Sequence, residues 1–110
     1  MNTDPTARIR ALNDLLRQHR IGGRIVVTRG VAAQRTGFVA RALEMIGAHA
    51  TFDGSNDPHG EHDFGRAIVD SVPVLWKIDY YDETLAYGAE DPADASTCHR
   101  VLTVMLADEY

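Results

Sequence analysis

Apolar residues at helical spacing open the chain. In "DPTARIRALNDLLRQHR", Ile9, Leu12, Leu15 and Leu16 recur at the three- and four-residue intervals of an amphipathic helix. Asp4 or Thr3 is placed to cap it, and Pro5 suits its first turn. The arginines lie mostly off this stripe. "IGG" ends the helix, with Gly22 or Gly23 as the left-handed cap. "RIVVT", residues 24–28, predicts a short β-branched strand, buried on both faces if it is central. "RGVAAQRTGFVARALEMIG" predicts a second helix. Phe38, Ala42, Met45 and Ile46 form its apolar face, and Gly47 stops it. "HATFDG" is a candidate second strand.

The pattern then changes period. "HDFGRAIVDSVPVLWKIDYYDE" alternates as a β-hairpin, with Phe64 and Ile68 on its first arm and turn chemistry at Asp70, Ser71 and Pro73. On the second arm Trp76, Ile78 and Tyr80 face one way, and Lys77, Asp79 and Tyr81 the other. "TLAYG" is a candidate edge strand. "EDPADASTCHRVLTVMLADEY" predicts a last helix. Asp91 and Asp94 stand at its start, and Cys98, Val101, Leu102 and Met105 form its buried stripe. The order α-β-α-β-β-β-α predicts a single α+β domain over residues 1–110. Its sheet should be small and mainly antiparallel, with helices packed mostly on one face.

Composition narrows the class. A chain of 110 residues with 45% apolar side chains is suited to one packed core. No apolar run reaches the ~20 residues of a membrane span, and the N-terminus shows no apolar signal core. The single cysteine, Cys98, allows no intrachain disulfide, and a cytoplasmic setting is expected. Charge is polarised. Residues 1–50 carry eight arginines against three carboxylates, and residues 51–110 carry three basic residues against thirteen carboxylates. Such polarity points to a steered partner or to pairing between the two halves. Arg24, Arg29, Arg35 and Arg41 could form a basic patch. The net charge of −5 opposes direct nucleic-acid binding.

"NDPHGEHDFG", residues 56–65, carries the chemistry-bearing side chains. His59, Glu61, His62 and Asp63 are all metal-ligand types, with Asp53 and Asp57 close by. Their spacing fits no zinc motif, and His99 is a distant fifth candidate. Lys77, Asp79 and Tyr81 share a strand face and could meet the turn. Glu61, His62, Asp63, Lys77 and Asp79 would then form an acid–base set. The competing reading is an Asx-turn at Asp57-Pro58 whose carboxylates cap backbone amides. Cys98 reads as a buried, inert thiol. No cofactor is expected.

"NDPHGEHDFG", "WKIDYYD" and "DPADASTCHRVLTVMLADEY", together with "IGGRIVVTRGV", resemble an uncharacterised family of small bacterial proteins. That family is known only as a domain of unknown function. The resemblance rests on Asn56, Asp57, Pro58, Gly60 to Gly65, Trp76, Lys77 and Asp79 to Asp82, and on the C-terminal segment. It implies a mostly proteobacterial protein of plasmids, prophages and other mobile regions, and supplies no catalytic residues. It also implies a glycine turn where this chain has "DSVP", so the hairpin's turn type stays open.

Two function classes follow. The first is a protein-binding module rather than an enzyme. Asp79, Asp82, Glu83, Glu90, Asp91, Asp94, Asp108 and Glu109 would imitate a run of phosphates to a basic surface. A CRISPR effector or a restriction enzyme offers such a surface, and the chain would act as an anti-CRISPR or antirestriction inhibitor. The second is a small metal-dependent hydrolase using the turn. A homodimer is one route by which so small a domain would build the pocket this needs.

Overall fold

The computed structural model describes residues 4–110. Helix α1 spans Pro5–His19, strand β1 Gly23–Val27, helix α2 Arg29–Ala32 and helix α3 Phe38–Ala48. Strands β2, Phe64–Val69, and β3, Val72–Tyr81, form the hairpin. Strand β4, His99–Leu106, runs into a 3₁₀ turn at Ala107–Glu109. The sheet order is β1-β4-β3-β2. β3 pairs antiparallel with both neighbours, and β1 lies parallel to β4. The fold is α+β with a mostly antiparallel sheet. No described helix is long and apolar enough to cross a membrane.

The Asp4 carboxylate accepts from the Thr6 N–H and caps α1, with Pro5 in its first turn. Thr3, the other cap candidate, lies outside the described residues. The left-handed cap falls before the "IGG" glycines, two residues ahead of Gly22. Arg20 takes the left-handed conformation, and its N–H bonds the Leu16 carbonyl. Gly22 is also at positive φ, whereas Gly23 already belongs to β1. The buried face of α1 is Ile9, Asn13, Leu16 and Arg17, while Leu15 is exposed. The expected single second helix is two, because Gly37 at φ +86° breaks the chain between α2 and α3. Phe38, Ala42 and Ile46 of α3 are buried, whereas Met45 is exposed.

One core unites these helices with one face of the sheet. Leu16, Val31, Phe38, Ala42 and Ile46 pack with Val69, Val74, Trp76, Ile78, Leu102 and Val104. Gly65 is opposite Trp76. A Cβ there would overlap Trp76 Cε2, so the indole occupies the space a side chain would need.

The C-terminal segment is a strand, not the expected helix. Its apolar residues satisfy both periods, an ambiguity inherent in short apolar runs. Pairing decides it. Arg100, Leu102 and Val104 are buried on the core face, while Val101 and Thr103 between them are half-buried. Val101 and Met105 therefore do not share a face with Leu102. The aspartates expected to start a helix make turns instead. Asp91 accepts from the Ala93 N–H and Asp94 from the Ser96 N–H. β4 takes the interior of the sheet, which leaves β1 at an edge rather than central. Residues 50–54 form no strand, and of "TLAYG" only Gly88 bridges to Tyr81.

The hairpin stands, but its turn is Asp70 and Ser71 alone, since Pro73 lies in β3 opposite Ile68. Asp70 and Ser71 both have positive φ, 51° and 68°, which is a type I′ turn.

Candidate functional site

The loop before β2 closes on itself through its own polar groups. Asp53 Oδ1 accepts from the Ser55 N–H, the Ser55 hydroxyl and the Asn56 N–H. Those bonds hold its carboxyl below the usual range, the Ser55 hydroxyl contributing most. Asn56 accepts from the Asp53 N–H and donates to the Thr51 carbonyl. Asp57, itself buried, accepts from the His62 N–H, and His62 sits at φ 56°.

His62 is held on three sides. Its Nδ1 lies 2.9 Å from Asp14 Oδ1, its Nε2 lies 3.6 Å from Asp57 Oδ2, and its ring stacks on Phe52 at 3.7 Å. Asp14 also accepts from Arg17 Nη2 at 2.8 Å. Arg17 in turn donates to the carbonyls of Ile46 and His49 at the end of α3, the first of which also accepts from the His49 N–H. Its guanidinium lies over the Phe52 and Trp76 rings. The two nitrogens of His62 thus face carboxylates on opposite sides of the ring, a clamp rather than a chelate. Among the described residues no three His, Cys, Asp or Glu side chains are arranged to hold a metal ion.

A second network lies deeper. Asn13 is fully buried and donates to the Glu61 carbonyl and to the Tyr80 hydroxyl. Tyr80 donates to Glu61 Oε1 at 2.7 Å. Burial, then the Glu61 bond, push the phenol far above its ordinary pKa. Asn13 Oδ1 accepts from Arg100 Nε at 2.8 Å. The Arg100 guanidinium, also buried, donates to the Pro92 carbonyl and to Cys98 Sγ and lies over the Tyr80 ring. Burial lowers the Arg100 pKa. It raises that of the Cys98 thiol, which is buried as expected although it precedes a strand. The network joins α1, the turn, β3 and β4, and it leaves Glu61 engaged twice.

The proposed acid–base set is divided by the sheet. Lys77 and Asp79 pair with each other at 2.9 Å on the face away from the helices, whereas Glu61 and His62 bond to α1 on the helical side. The Asp79 bond raises the Lys77 pKa. Asp63 lies in the chain between them. Burial and then the Glu61 charge push its carboxyl up. His59 is exposed, and His99 begins β4 opposite Tyr81.

Five of the eight proposed partner-binding carboxylates converge. Asp82, Glu83, Glu90, Asp91 and Asp94 line one open depression of about 570 Å³. It is built by the loop between β3 and β4. Asp82 caps Thr84, and Asp94 caps Ser96, through N–H and hydroxyl alike. Hydroxyl bonds to Thr84 and Ser96 hold these two carboxyls below the usual range. Each uses Oδ1 for these bonds. The other three acidic residues lie apart from the depression. Asp79 is on the open sheet face with Lys77. Glu109 accepts from the Thr28 hydroxyl and from the Gly30 and Leu106 N–H groups, with Asp108 beside it in the 3₁₀ turn. Of the four arginines expected as a basic patch, Arg41 is committed to Asp70 through Nε and Nη2.

A family model described as "Protein of unknown function (DUF3768)" matches residues 27–109. The chain belongs to that family. No curated protein and no solved structure matches significantly. In this DUF3768 chain the matched segment holds the polar turn, the hairpin, the acidic loop and β4. Asn13, Asp14 and Arg17, which clamp the turn, lie in α1 ahead of it.

Those three residues, with Phe52 and Arg100, are the functional-looking positions that sequence pattern alone passes over. The Ile9–Asn13–Leu16–Arg17 spacing carries a signal for the first group, since polar residues at helical intervals from Leu16 would face the core. Nothing local marks Arg100, which alternates with Leu102 only once the segment is read as a strand.

Proposed function

We propose that this protein is an acidic protein-binding module that acts in the cytoplasm and seats a basic surface of a partner protein on the β3–β4 loop. The observation that carries this reading is the convergence of Asp82, Glu83, Glu90, Asp91 and Asp94 around one depression. Charges gathered on a concave surface focus the field and steer an oppositely charged partner. A nucleic-acid-binding enzyme presents such a partner surface, because its cleft is built to hold phosphates. Occupation of that cleft would exclude nucleic acid, so the finer role is inhibition of a defence nuclease, of CRISPR-effector or restriction type. The mobile-element setting implied by the family resemblance agrees with this role. The hydrolase reading loses support, since Glu61 and His62 are engaged in structural bonds and Lys77 and Asp79 face away.

Glu83→Lys with Glu90→Lys is the sharpest test, because among the described residues neither side chain makes an ion pair. Partners captured from host lysate by the native chain should be released by salt, as screening shortens to ~8 Å at physiological ionic strength. They should also bind the double variant at least tenfold more weakly, at an unchanged melting temperature. Equal capture by both chains, insensitive to salt, would overturn the proposal.

A further inference from the structure

β2 ends the sheet, and its outer edge is open. The Ile78 N–H bonds the Asp63 carbonyl at 2.8 Å, and the register runs unbroken from Phe64↔Lys77 to Val69↔Val72. Alternation in an antiparallel ladder then assigns Gly65, Ala67 and Val69 to the bonds with β3. Phe64, Arg66 and Ile68 turn their N–H and C=O groups outward. Natural edges are commonly blunted by a proline, a bulge or a covering segment. β2 itself contains no proline, and its pairing contains no bulge.

A groove follows this edge. It measures about 860 Å³ and lies between β2 and the loop that precedes it. Phe64, Leu75 and Tyr110 supply apolar surface, and His59 and Arg66 supply basic groups. Arg66 is exposed and makes no ion pair among the described residues. The one acidic side chain in the lining, Asp63, is half-buried. Ile68, beyond Arg66 on the same face, is 52% exposed. Along the edge the open face therefore reads apolar, cationic, apolar.

We propose that the free edge of β2 receives an extended segment of a partner protein as a fifth strand, with an acidic side chain beside Arg66 and apolar side chains beside Phe64 and Ile68. Main-chain bonds to three outward residues supply affinity, and alternate side chains supply selectivity, as in other strand-addition complexes. The acid is required by charge. An apolar residue at that position would leave Arg66 without a counter-ion inside the new interface. This surface lies apart from the acidic depression and does not rest on the function proposed there.

The probe is the acetylated, amidated peptide Thr-Val-Thr-Glu-Thr-Val-Thr, whose valines stand two residues either side of the glutamate. At about 1 mM, suited to weak binding, it should slow amide hydrogen exchange at Phe64, Arg66 and Ile68. Exchange elsewhere in β2 should change little. The same peptide with lysine in place of glutamate should bind at least tenfold more weakly, and Arg66→Glu should reverse that order. Ile68→Pro removes one outward donor and leaves the bonds to β3 intact, so it should abolish protection in a chain with native circular dichroism. Should Ile68→Pro fail to fold, the Arg66→Glu reversal still decides. Equal binding of the two peptides overturns the proposal. So does binding without amide protection, which would indicate a side-chain pocket. Protection that rises with protein concentration alone would assign the edge to a second copy and equally overturn it.

Discussion

Asn13 and Arg100 meet across 87 positions of sequence, with Asn13 Oδ1 accepting from Arg100 Nε at 2.8 Å and both side chains buried. The pairing fixes α1 against β4. It also places the Asn13 amide where it reaches both Tyr80 and the Glu61 carbonyl. A buried guanidinium without a carboxylate partner depends on neutral acceptors, here Asn13, Pro92 and Cys98. Each acceptor is therefore worth more to the fold than an ordinary hydrogen-bond partner.

Asn13→Ala is expected to destabilise by about 2–4 kcal/mol, since it takes the Nε acceptor from a buried guanidinium and the side-chain donor from the Glu61 carbonyl. Arg100→Met should cost less, because it removes the charge along with its bonds. Urea denaturation of both single variants and the double should reveal a coupling of about 1–3 kcal/mol. Strict additivity would show that the pair does not act as a unit.

Gly65 and Trp76 make a second interlocked pair. Gly65→Ala should destabilise by about 1–3 kcal/mol, because the added methyl overlaps the indole in a packed core. Trp76→Ala should cost about 3–5 kcal/mol through the cavity it leaves. In the Trp76→Ala background, Gly65→Ala should become nearly neutral or stabilising. Thermal melts of the four chains check this, and a full additive loss in the double variant would contradict the packing.

The hairpin was legible in the sequence because one face of β3 had to be apolar and the other wet, and Trp76, Ile78 and Lys77 keep that alternation. The start of α1 was legible because its cap is local. β4 was not. "VLTVML" satisfies the helical and the strand period, and only pairing with β3 on one side and β1 on the other resolves it. The aspartates before it misled for a related reason, since an Asx-turn and a helix cap use the same residues. The site was half legible. The polar turn stood out by composition, and its competing structural reading already contained the capping carboxylates. The partners that immobilise it, Asn13, Asp14 and Arg17, lie in a helix whose apolar stripe drew attention to Leu15, which is exposed.

Acid should act on the carboxylates in two opposite senses. Asp63 has its folded-state pKa raised, chiefly by burial. Its contribution is fully present below the ordinary carboxylate value and is lost as pH rises through the folded value. Asp63→Asn should therefore raise the melting temperature at pH 7 and lose that advantage near pH 3. Asp94 is the reverse. Its pKa is lowered, first by the Ser96 hydroxyl, so its contribution is present above the ordinary value and lost as pH falls through the folded one. Carboxyl NMR titration downward from neutral pH should protonate Asp63 before Asp94. The opposite order would remove the basis for both assignments.

The hairpin turn offers the last test. Type I′ geometry needs positive φ at both central residues, and this chain meets it with Asp70 and Ser71, neither of them glycine. Asp70 is retained for a reason beyond the turn, because its carboxylate accepts from Arg41 Nε and Nη2 and ties β2 to α3. Among the described residues Ser71 has no such bond. A left-handed conformation costs an L-residue about 1–2 kcal/mol, and glycine recovers that while losing about 0.5–1 kcal/mol through unfolded-chain entropy. Ser71→Gly should therefore stabilise by about 0.5–1 kcal/mol, read as a higher urea midpoint at unchanged slope. Ser71→Val should destabilise, since branching at Cβ aggravates the strain. Asp70→Gly should gain the same backbone relief but lose the tie to Arg41, so it should fall below Ser71→Gly. If Ser71→Gly instead lowers the midpoint, the turn in solution is not type I′, and the register it sets along β2 would need to shift with it.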